Sequence, residues 1–478
     1  MRDRRREIVY FTKISPTKYN IKTLLPDFPE TSRILPIEAP VVSFAENCGV
    51  FGIYSDKNCI HDLYYGIFKL QHRGQRYCGI ATARKELKLI THKGFVRHTF
   101  TPQELKDLSG RFGIGHVSLS ERQPIMMESR LGPFAIAFSG NIINAEGLFN
   151  ELKNSGHSFF THTQIELLAK MIVQGKDFVQ GLELLAKKIK GSYTIVILTK
   201  KGIYAARDPL GFKPLILGKR GNAFAVASES RPFSLIGFEI FRDVKPGEII
   251  LIDQDGVSAK SVVNAGKIAH CAFEWGYVAS MDSIIDGVPV VRVRNSLGAS
   301  LAKTDNVEAD LVAAVPFSGI GYALGYHKAS GIPYDEVFLI DRFASRSYLP
   351  LTQRLRDLEA KIKLSVIKDA VQGKKIILCD DSIVRGTQIR NKVLELKAAG
   401  AKEVHVRIGC PPLKAPCKYD IATRSYKELA ARRHSTKEIA GLIGADTLKY
   451  CSLQDLVAAI GLPDISLCLH CWSEKEVI

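Results

Sequence analysis

Along the first 47 residues, apolar and polar positions follow no period while Pro, Thr and Lys recur, which predicts an extension or propeptide. At Cys48 the pattern changes to short apolar runs: Cys48 to Tyr54, Phe134 to Phe138, Ser192 to Leu198, Ile203 to Ala206 and Ala223 to Ala227. Turns rich in Gly, Pro and Asp separate them, so these runs predict antiparallel strands. Helical spacing near 62–75 and 163–190 adds two helices, giving an α+β domain. Past about residue 290 the pattern alternates. Helices are predicted near 294–303, 321–330, 357–371 and 387–399, and strands at 310–315, 336–340, 375–379 and 403–408. That alternation predicts a parallel, doubly wound sheet with ligands at the carboxyl ends of its strands.

One segment of the second half carries chemistry. The apolar run Ile376-Ile377-Leu378-Cys379 reads as a buried strand and ends in two adjacent acids, Asp380 and Asp381. A loop of small residues, Ser382 to Thr387, leads into a helix marked by Ile389, Val393 and Leu396 and closed by Gly400. Backbone N–H groups at such a helix mouth attract phosphate, and the paired acids can reach ribose hydroxyls or a magnesium ion. An ordinary βα turn with a solvated acidic pair would give the same local pattern.

Composition narrows the class. The chain has 478 residues, of which 46% are hydrophobic and 24% charged, as in a globular protein of two or three domains. No apolar run approaches the roughly 18 residues that span a bilayer. The basic start, Met1 to Ile8, lacks the apolar core of a secretory signal, so a cytoplasmic protein without membrane partners is expected. The net charge of +17 calls for anionic partners. Because the basic residues are dispersed, a polyphosphate substrate fits better than nucleic acid. Ten cysteines without an export signal point to reduced thiols. Cys468-Leu-His-Cys471 has the spacing to grip a metal, although zinc, iron–sulfur, redox chemistry and coincidence all remain open.

The string Asp380-Asp381-Ser382-Ile383-Val384-Arg385-Gly386-Thr387 resembles the phosphoribosyl-pyrophosphate (PRPP) loop of type I phosphoribosyltransferases. From Cys48 to about Trp472 the chain resembles the amidophosphoribosyltransferases of purine synthesis. The resemblance implies an α+β N-terminal-nucleophile (Ntn) hydrolase-like domain followed by an α/β type I phosphoribosyltransferase domain with a parallel sheet. The expected boundaries are 1–47 for the extension, 48–270 for the amidotransferase domain, 271–465 for the phosphoribosyltransferase domain and 466–478 for a tail carrying the CxxC. The implied reaction displaces pyrophosphate from PRPP with ammonia to give 5-phosphoribosylamine.

By that likeness, Asp380 and Asp381 hold the ribose hydroxyls and Mg2+, Ser382 to Thr387 cradle the 5′-phosphate, and Ser318 helps bind the metal. Arg342 and Arg346 clamp the pyrophosphate by charge-assisted hydrogen bonds. Cys271, Cys417, Cys468 and Cys471 fall where one branch of the family ligates a [4Fe–4S] cluster. A dimer or tetramer is implied as well. The pattern also departs from the family's: Phe317 replaces an Asp beside Ser318, Ile340-Asp341 replaces Lys-Asn, Ser345 replaces a Gly, and Ser280 replaces an Arg.

In the first half, Cys48 resembles the nucleophile that propeptide cleavage exposes, its α-amino group then acting as base. Gln71-His-Arg73-Gly, Gly140-Asn141, Ala206 to Pro214 and Ala227-Ser-Glu-Ser fit the same fold. Three substrate groups are replaced. Ser118 stands for the Arg that holds the glutamine carboxylate, Ser139 for the Asn that donates to the oxyanion, and His162 with Gln164 for the Asp and Glu at the α-ammonium. Losing one oxyanion donor alone costs about 100- to 1000-fold in turnover. The expectation is therefore phosphoribosylamine formation from ammonia rather than efficient glutamine hydrolysis. Three alternatives stand beside it: a glutamine-dependent enzyme with a rebuilt pocket, a regulatory paralogue that senses PRPP or nucleotides without turnover, and a phosphoribosyltransferase using another nucleophile.

Overall fold

A computed structural model describes residues 48–340, 364–420 and 425–477. The 1–47 extension, the expected pyrophosphate residues Arg342 and Arg346, and the departures at Asp341 and Ser345 lie outside the described residues, which fall in one compact unit, Ser43–Ile478.

In the first half two antiparallel sheets stack face to face. The seven-stranded sheet runs Glu239–Asp243, Ile216–Arg220, Ala223–Ala227, Gly49–Tyr54, Phe112–Ser118, Tyr77–Ala83, Leu87–Lys93. The six-stranded sheet runs Gly256–Val262, Glu248–Asp253, Ile203–Arg207, Gly191–Leu198, Phe134–Ile142, Ile125–Met127. Side chains alternate across each strand. Val50, Ile114 and Val226 therefore face Ala135, Val196, Ala205 and Ile250 in the core between the sheets. The opposite faces carry helices. Phe51, Ile53 and Ile80 pack on helix Ile60–Lys69, whose buried Ile60, Leu63 and Ile67 lie on one stripe. Gly66 on that stripe has no Cβ, and one built there would stand 2.7 Å from the Phe51 ring. Ile136, Phe138, Ile195 and Ile197 pack on helices Ala145–Asn154, Gln164–Ile172 and Phe178–Lys188. The layers are helix, sheet, sheet, helix.

The second half is built on a parallel sheet in the order Leu311–Ala314, Lys375–Asp380, Glu403–Ile408, Thr447–Tyr450. Its strands are covered on both sides, as parallel strands require. Leu311, Ile376, Leu378, Val404 and Val406 pack with Ile389, Val393 and Leu396 of helix Thr387–Ala398. Val312, Ala314, Ile377 and Cys379 turn the other way, onto helices Val290–Lys303 and Ile320–Ser330. Among the described residues no helix is long and apolar enough to cross a membrane.

The structure corrects several expected elements. The helix expected over 163–190 is two helices, broken where Gly175 packs on Gly181 and where the Asp177 carboxylate caps the second by accepting from Gln180 N–H at 2.8 Å. Of the expected helix 357–371, residues 357–363 lie outside the described residues; Leu364–Val366 form a strand and Lys368–Val371 is helical. That strand pairs antiparallel with Phe338–Ile340, so the expected strand 336–340 belongs to a two-stranded ribbon outside the parallel sheet. Cross-strand pairing overrides a weak helical spacing here. Strand Thr447–Tyr450 was not expected: its four residues are all half-buried and show no alternation to read.

The two halves meet on buried charge. Arg73, 1% exposed, donates through Nε to Glu229 at 3.0 Å and through Nη2 and Nη1 to Glu274 at 2.7 and 3.3 Å. Lys213 Nζ pairs with Asp420 and lies 3.6 Å from Glu274. Arg207 donates to both oxygens of Asp286, at 2.7 and 2.9 Å. Burial works against charge on Arg73 and Lys213, but their carboxylate partners outweigh it and raise both above their ordinary values. Replacing Arg73 by Leu leaves Glu229 and Glu274 without that cation. The expected cost is about 3–5 kcal/mol of stability, read as a lowered unfolding midpoint in denaturant; a shift worth less than about 1 kcal/mol would show the network to be incidental.

Candidate functional site

The carboxyl ends of the parallel strands form one edge, and three loops gather there. Strand Lys375–Asp380 delivers the paired acids in its centre. Asp380 Oδ1 accepts from Ser318 Oγ at 2.6 Å and from Asp381 N–H at 2.9 Å. Asp381 Oδ1 accepts from Ser382 Oγ at 3.1 Å and also from Ser382 N–H. Both acids are buried. Burial pushes Asp380 up to about 6, with Ser318 opposing, and pushes Asp381 well above the carboxylate range, reinforced by the neighbouring Asp380 charge and opposed by Arg294.

Beyond the acids, Gly386 takes φ +84°, a left-handed conformation open to glycine, and precedes helix Thr387–Ala398 without any side-chain cap. The first-turn N–H groups thus face the loop without a capping side chain, as phosphate binding requires. Ile383 is 3% exposed and packs in the core, so it can offer a ligand only its backbone; the Val384 carbonyl accepts Ala430 N–H at 2.8 Å. Arg385 pairs with Glu428. Phe317, next to Ser318, is 74% exposed with φ +68°, an uncommon and strained conformation for a bulky residue. The two Asp carboxylates and the Ser318 hydroxyl are hard oxygen ligands of the kind Mg2+ takes, the remainder commonly coming from substrate phosphates and water.

The four cysteines from distant segments also come together. Cys271 and Cys468 are register partners in a short parallel pair of strands. The Cys417 and Cys471 thiols hydrogen-bond each other, and Asp420 N–H donates to Cys417 Sγ at 3.2 Å. Among the described residues, no group of three or more Cys, His, Asp or Glu is close enough to hold one metal ion. A cubane cluster holds its ligand sulfurs farther apart than a single ion does, and a set of four thiols is its usual ligand complement. The same tail buries the Trp472 Nε1–H and His470 Nε2 without a partner, polar atoms that a sulfide-bearing guest could satisfy.

Around Cys48 the residues that depart from the family pattern make contacts within the chain. Ser118 Oγ accepts Ser120 and Glu121 N–H, each at 3.0 Å, and hydrogen-bonds the Cys48 thiol. Ser139 Oγ donates to the Cys48 carbonyl at 2.9 Å. Gln164 bridges Ile142 N–H and Asn141 Oδ1, both at 3.0 Å. His162 stacks on Phe149 at 4.0 Å and lies 3.5 Å from the Glu146 carboxylate. Arg73, the cation retained here, is fully engaged by Glu229 and Glu274. Those acids, with Lys213, Asp420 and Arg294, were missed in the sequence; a signal lay in charged residues embedded in apolar motifs such as Cys271-Ala-Phe-Glu274.

An Ntn-type amidotransferase sandwich joined to a type I phosphoribosyltransferase sheet is the class these two halves define. A family profile described as a glutamine amidotransferase domain matches residues 110–234. The amidophosphoribosyltransferase of Methanothermobacter thermautotrophicus is 40% identical over 445 residues, covering 89% of this chain and 93% of the relative. That of Bacillus subtilis is 37% identical over 454 residues, covering 91% and 95%. The solved B. subtilis glutamine PRPP amidotransferase, complexed with ADP and GMP, superposes with a TM-score of 0.85 at 37% identity, covering 90% of this chain and 97% of that one. The chain belongs to the amidophosphoribosyltransferase family of pentosyltransferases.

The enclosed Cys48 sulfur yields a chemical expectation. Burial pushes its thiol up to about 12, with the Ser118 hydrogen bond opposing. Against a free cysteine near 8.5, the thiolate is about a thousandfold scarcer at neutral pH. Iodoacetamide should therefore alkylate Cys48 of the uncleaved chain slower than free cysteine by about that factor, followed by peptide mass spectrometry. Alkylation at the free-cysteine rate would show an open, activated nucleophile.

Proposed function

We propose that this chain forms 5-phosphoribosylamine from PRPP in purine synthesis, taking ammonia far better than glutamine. The observation that carries the reading is the pair of buried aspartates ending a central parallel strand and opening on an uncapped helix N-terminus. Ser382 to Thr387 receive the 5′-phosphate on backbone N–H groups. Asp380 and Asp381 accept from the ribose hydroxyls and, with Ser318, would hold Mg2+, which when bound would supply positive charge for the pyrophosphate. The ammonia nitrogen attacks C1 of the ribose, the bond from C1 to the pyrophosphate oxygen breaks, and the nitrogen gives up a proton. Arg342 and Arg346 would meet the pyrophosphate. Cys271, Cys417, Cys468 and Cys471 would hold a [4Fe–4S] cluster with a structural role, tying the tail to two distant segments. A cytoplasmic homo-oligomer completes the reading.

Contacts in the first half support ammonia as the nitrogen source. Ser118 and Ser139 spend their hydroxyls on Cys48 and its neighbours, and Arg73 has no free charge for a substrate carboxylate. A pyrophosphate-release assay under anaerobic conditions should show turnover with ammonium salts and, with glutamine, less than about one hundredth of that rate. Equal rates would overturn the donor assignment. One observation favours a sensing paralogue instead: Phe317 puts a strained, exposed ring where the family has a carboxylate. PRPP binding with no pyrophosphate release under any donor would select that reading.

The acids also set a pH dependence. Burial raises both carboxylates, whereas the metal needs them ionised, so binding releases protons and acid competes with it. Affinity for magnesium-PRPP should weaken in titration calorimetry as the pH falls through about 6 and Asp380 takes up a proton. A flat profile from pH 5 to 7 would mean the acids do not meet the ligand.

A further inference from the structure

Each of the four consecutive residues Cys417, Lys418, Tyr419 and Asp420 contacts a different part of the chain. Cys417 stands among the four thiols. The Lys418 carbonyl accepts from Asn141 Nδ2 at 2.7 Å. The Tyr419 carbonyl accepts from the buried Ser192 Oγ at 2.6 Å, and the Tyr419 ring lies 4.9 Å from Phe212 and 6.4 Å from His470. Asp420 grips Lys213, which also faces Glu274.

These contacts converge on the amidotransferase half. Asn141 and Ser192 are direct register partners on neighbouring strands, so two successive carbonyls of the segment land on one rung of the six-stranded sheet. Two residues before Asn141 on the same strand, Ser139 donates to the Cys48 carbonyl. The segment itself is neither helix nor strand. Its position therefore depends on what holds its ends and its carbonyls: the thiol site at Cys417, the Lys213 pair at Asp420 and the sheet rung between them.

We propose that Cys417–Asp420 is a strap through which metal occupancy of the four-thiol site controls order in the amidotransferase half, at the Asn141–Ser192 rung and the strand that leads to Cys48. The proposal rests on the iron–sulfur reading above. With all four sulfurs bound to one rigid group, Cys417 is fixed and the two carbonyls stay on the rung. When that anchor is lost the strap can leave, and Ser192, buried with its hydroxyl on Tyr419, loses its acceptor. Unsatisfied buried groups of that kind are costly, so the rung loosens together with the strap.

The test uses the full chain purified without air, with iron and sulfide measured, and amide hydrogen exchange followed by mass spectrometry before and after the iron is removed. Removal should speed exchange about tenfold in peptides covering 139–142 and 191–193, while the hairpin Glu248–Asp253 with Gly256–Val262 on the same sheet stays unchanged. Ser192→Ala should keep its iron, show faster exchange at 139–142 already when loaded, and respond less to iron removal. Iron loss that leaves the rung peptides unchanged overturns the strap, as does acceleration spread equally over the control hairpin. Protein that holds neither iron nor sulfide overturns the iron–sulfur reading itself, and the coupling with it.

Discussion

The buried charge between the halves is the constraint on which the rest depends. Glu274 lies in the short π-helical turn Glu274–Val278 and is bound by Arg73 from one half, with Lys213 close by. Glu229, bound by the same Arg73, also accepts from Ser280 N–H and Ser283 Oγ of the other half. Removing charges from water is so costly that each must be matched by a partner at close range. The partners come from both halves, so neither can be displaced without stranding charge. This fixes the sandwich against the parallel sheet far more strictly than apolar contact alone, which tolerates sliding.

The same logic explains the PRPP edge. Arg294 donates to the carbonyls of Trp275, Tyr277 and Ala279, holding the π-helical turn, and its charge also opposes the rise in the Asp381 pKa. One guanidinium thus braces the interface turn and lies within electrostatic reach of the buried acid pair. Two adjacent buried carboxylates are unfavourable on their own, and a bound cation would relieve that cost. The strain is local to the place where the ligand's charge would offset it.

What could be read from the sequence was whatever depends on neighbours in the chain. The strand, acid pair, loop and helix of 375–399 are contiguous, so spacing alone located them. The alternating runs of the first half revealed its strands for the same reason. The strand Leu364–Val366 inside the helix expected over 357–371 was not legible, because Leu364 and Val366 pair across the ribbon with Ile340 and Phe338, a contact no local period records. The charge network was invisible for the same reason: Arg73 and Glu274 lie 201 positions apart. Ser118 and Ser139 were identified as departures from a pattern, but that their hydroxyls turn onto Cys48 itself is a fact of packing.

The amidotransferase sandwich has a physical role in this chain apart from any chemistry at Cys48. Arg73, Lys213 and Arg207 belong to it, and their partners Glu274, Asp420 and Asp286 belong to the other half. Deleting the sandwich would expose three carboxylates shaped for cations, together with the apolar surface around Tyr419 that packs against Phe212. Ser118 and Ser139 carry no charge, so a change at either strands no partner ion. The groups that hold the halves together are paired and buried, so a change in one leaves its partner unmatched. Chemistry at Cys48 can therefore fade while the fold around it is kept, because the two depend on different residues of the same strands: Ser139 faces Cys48, and Asn141, two positions on, faces the strap.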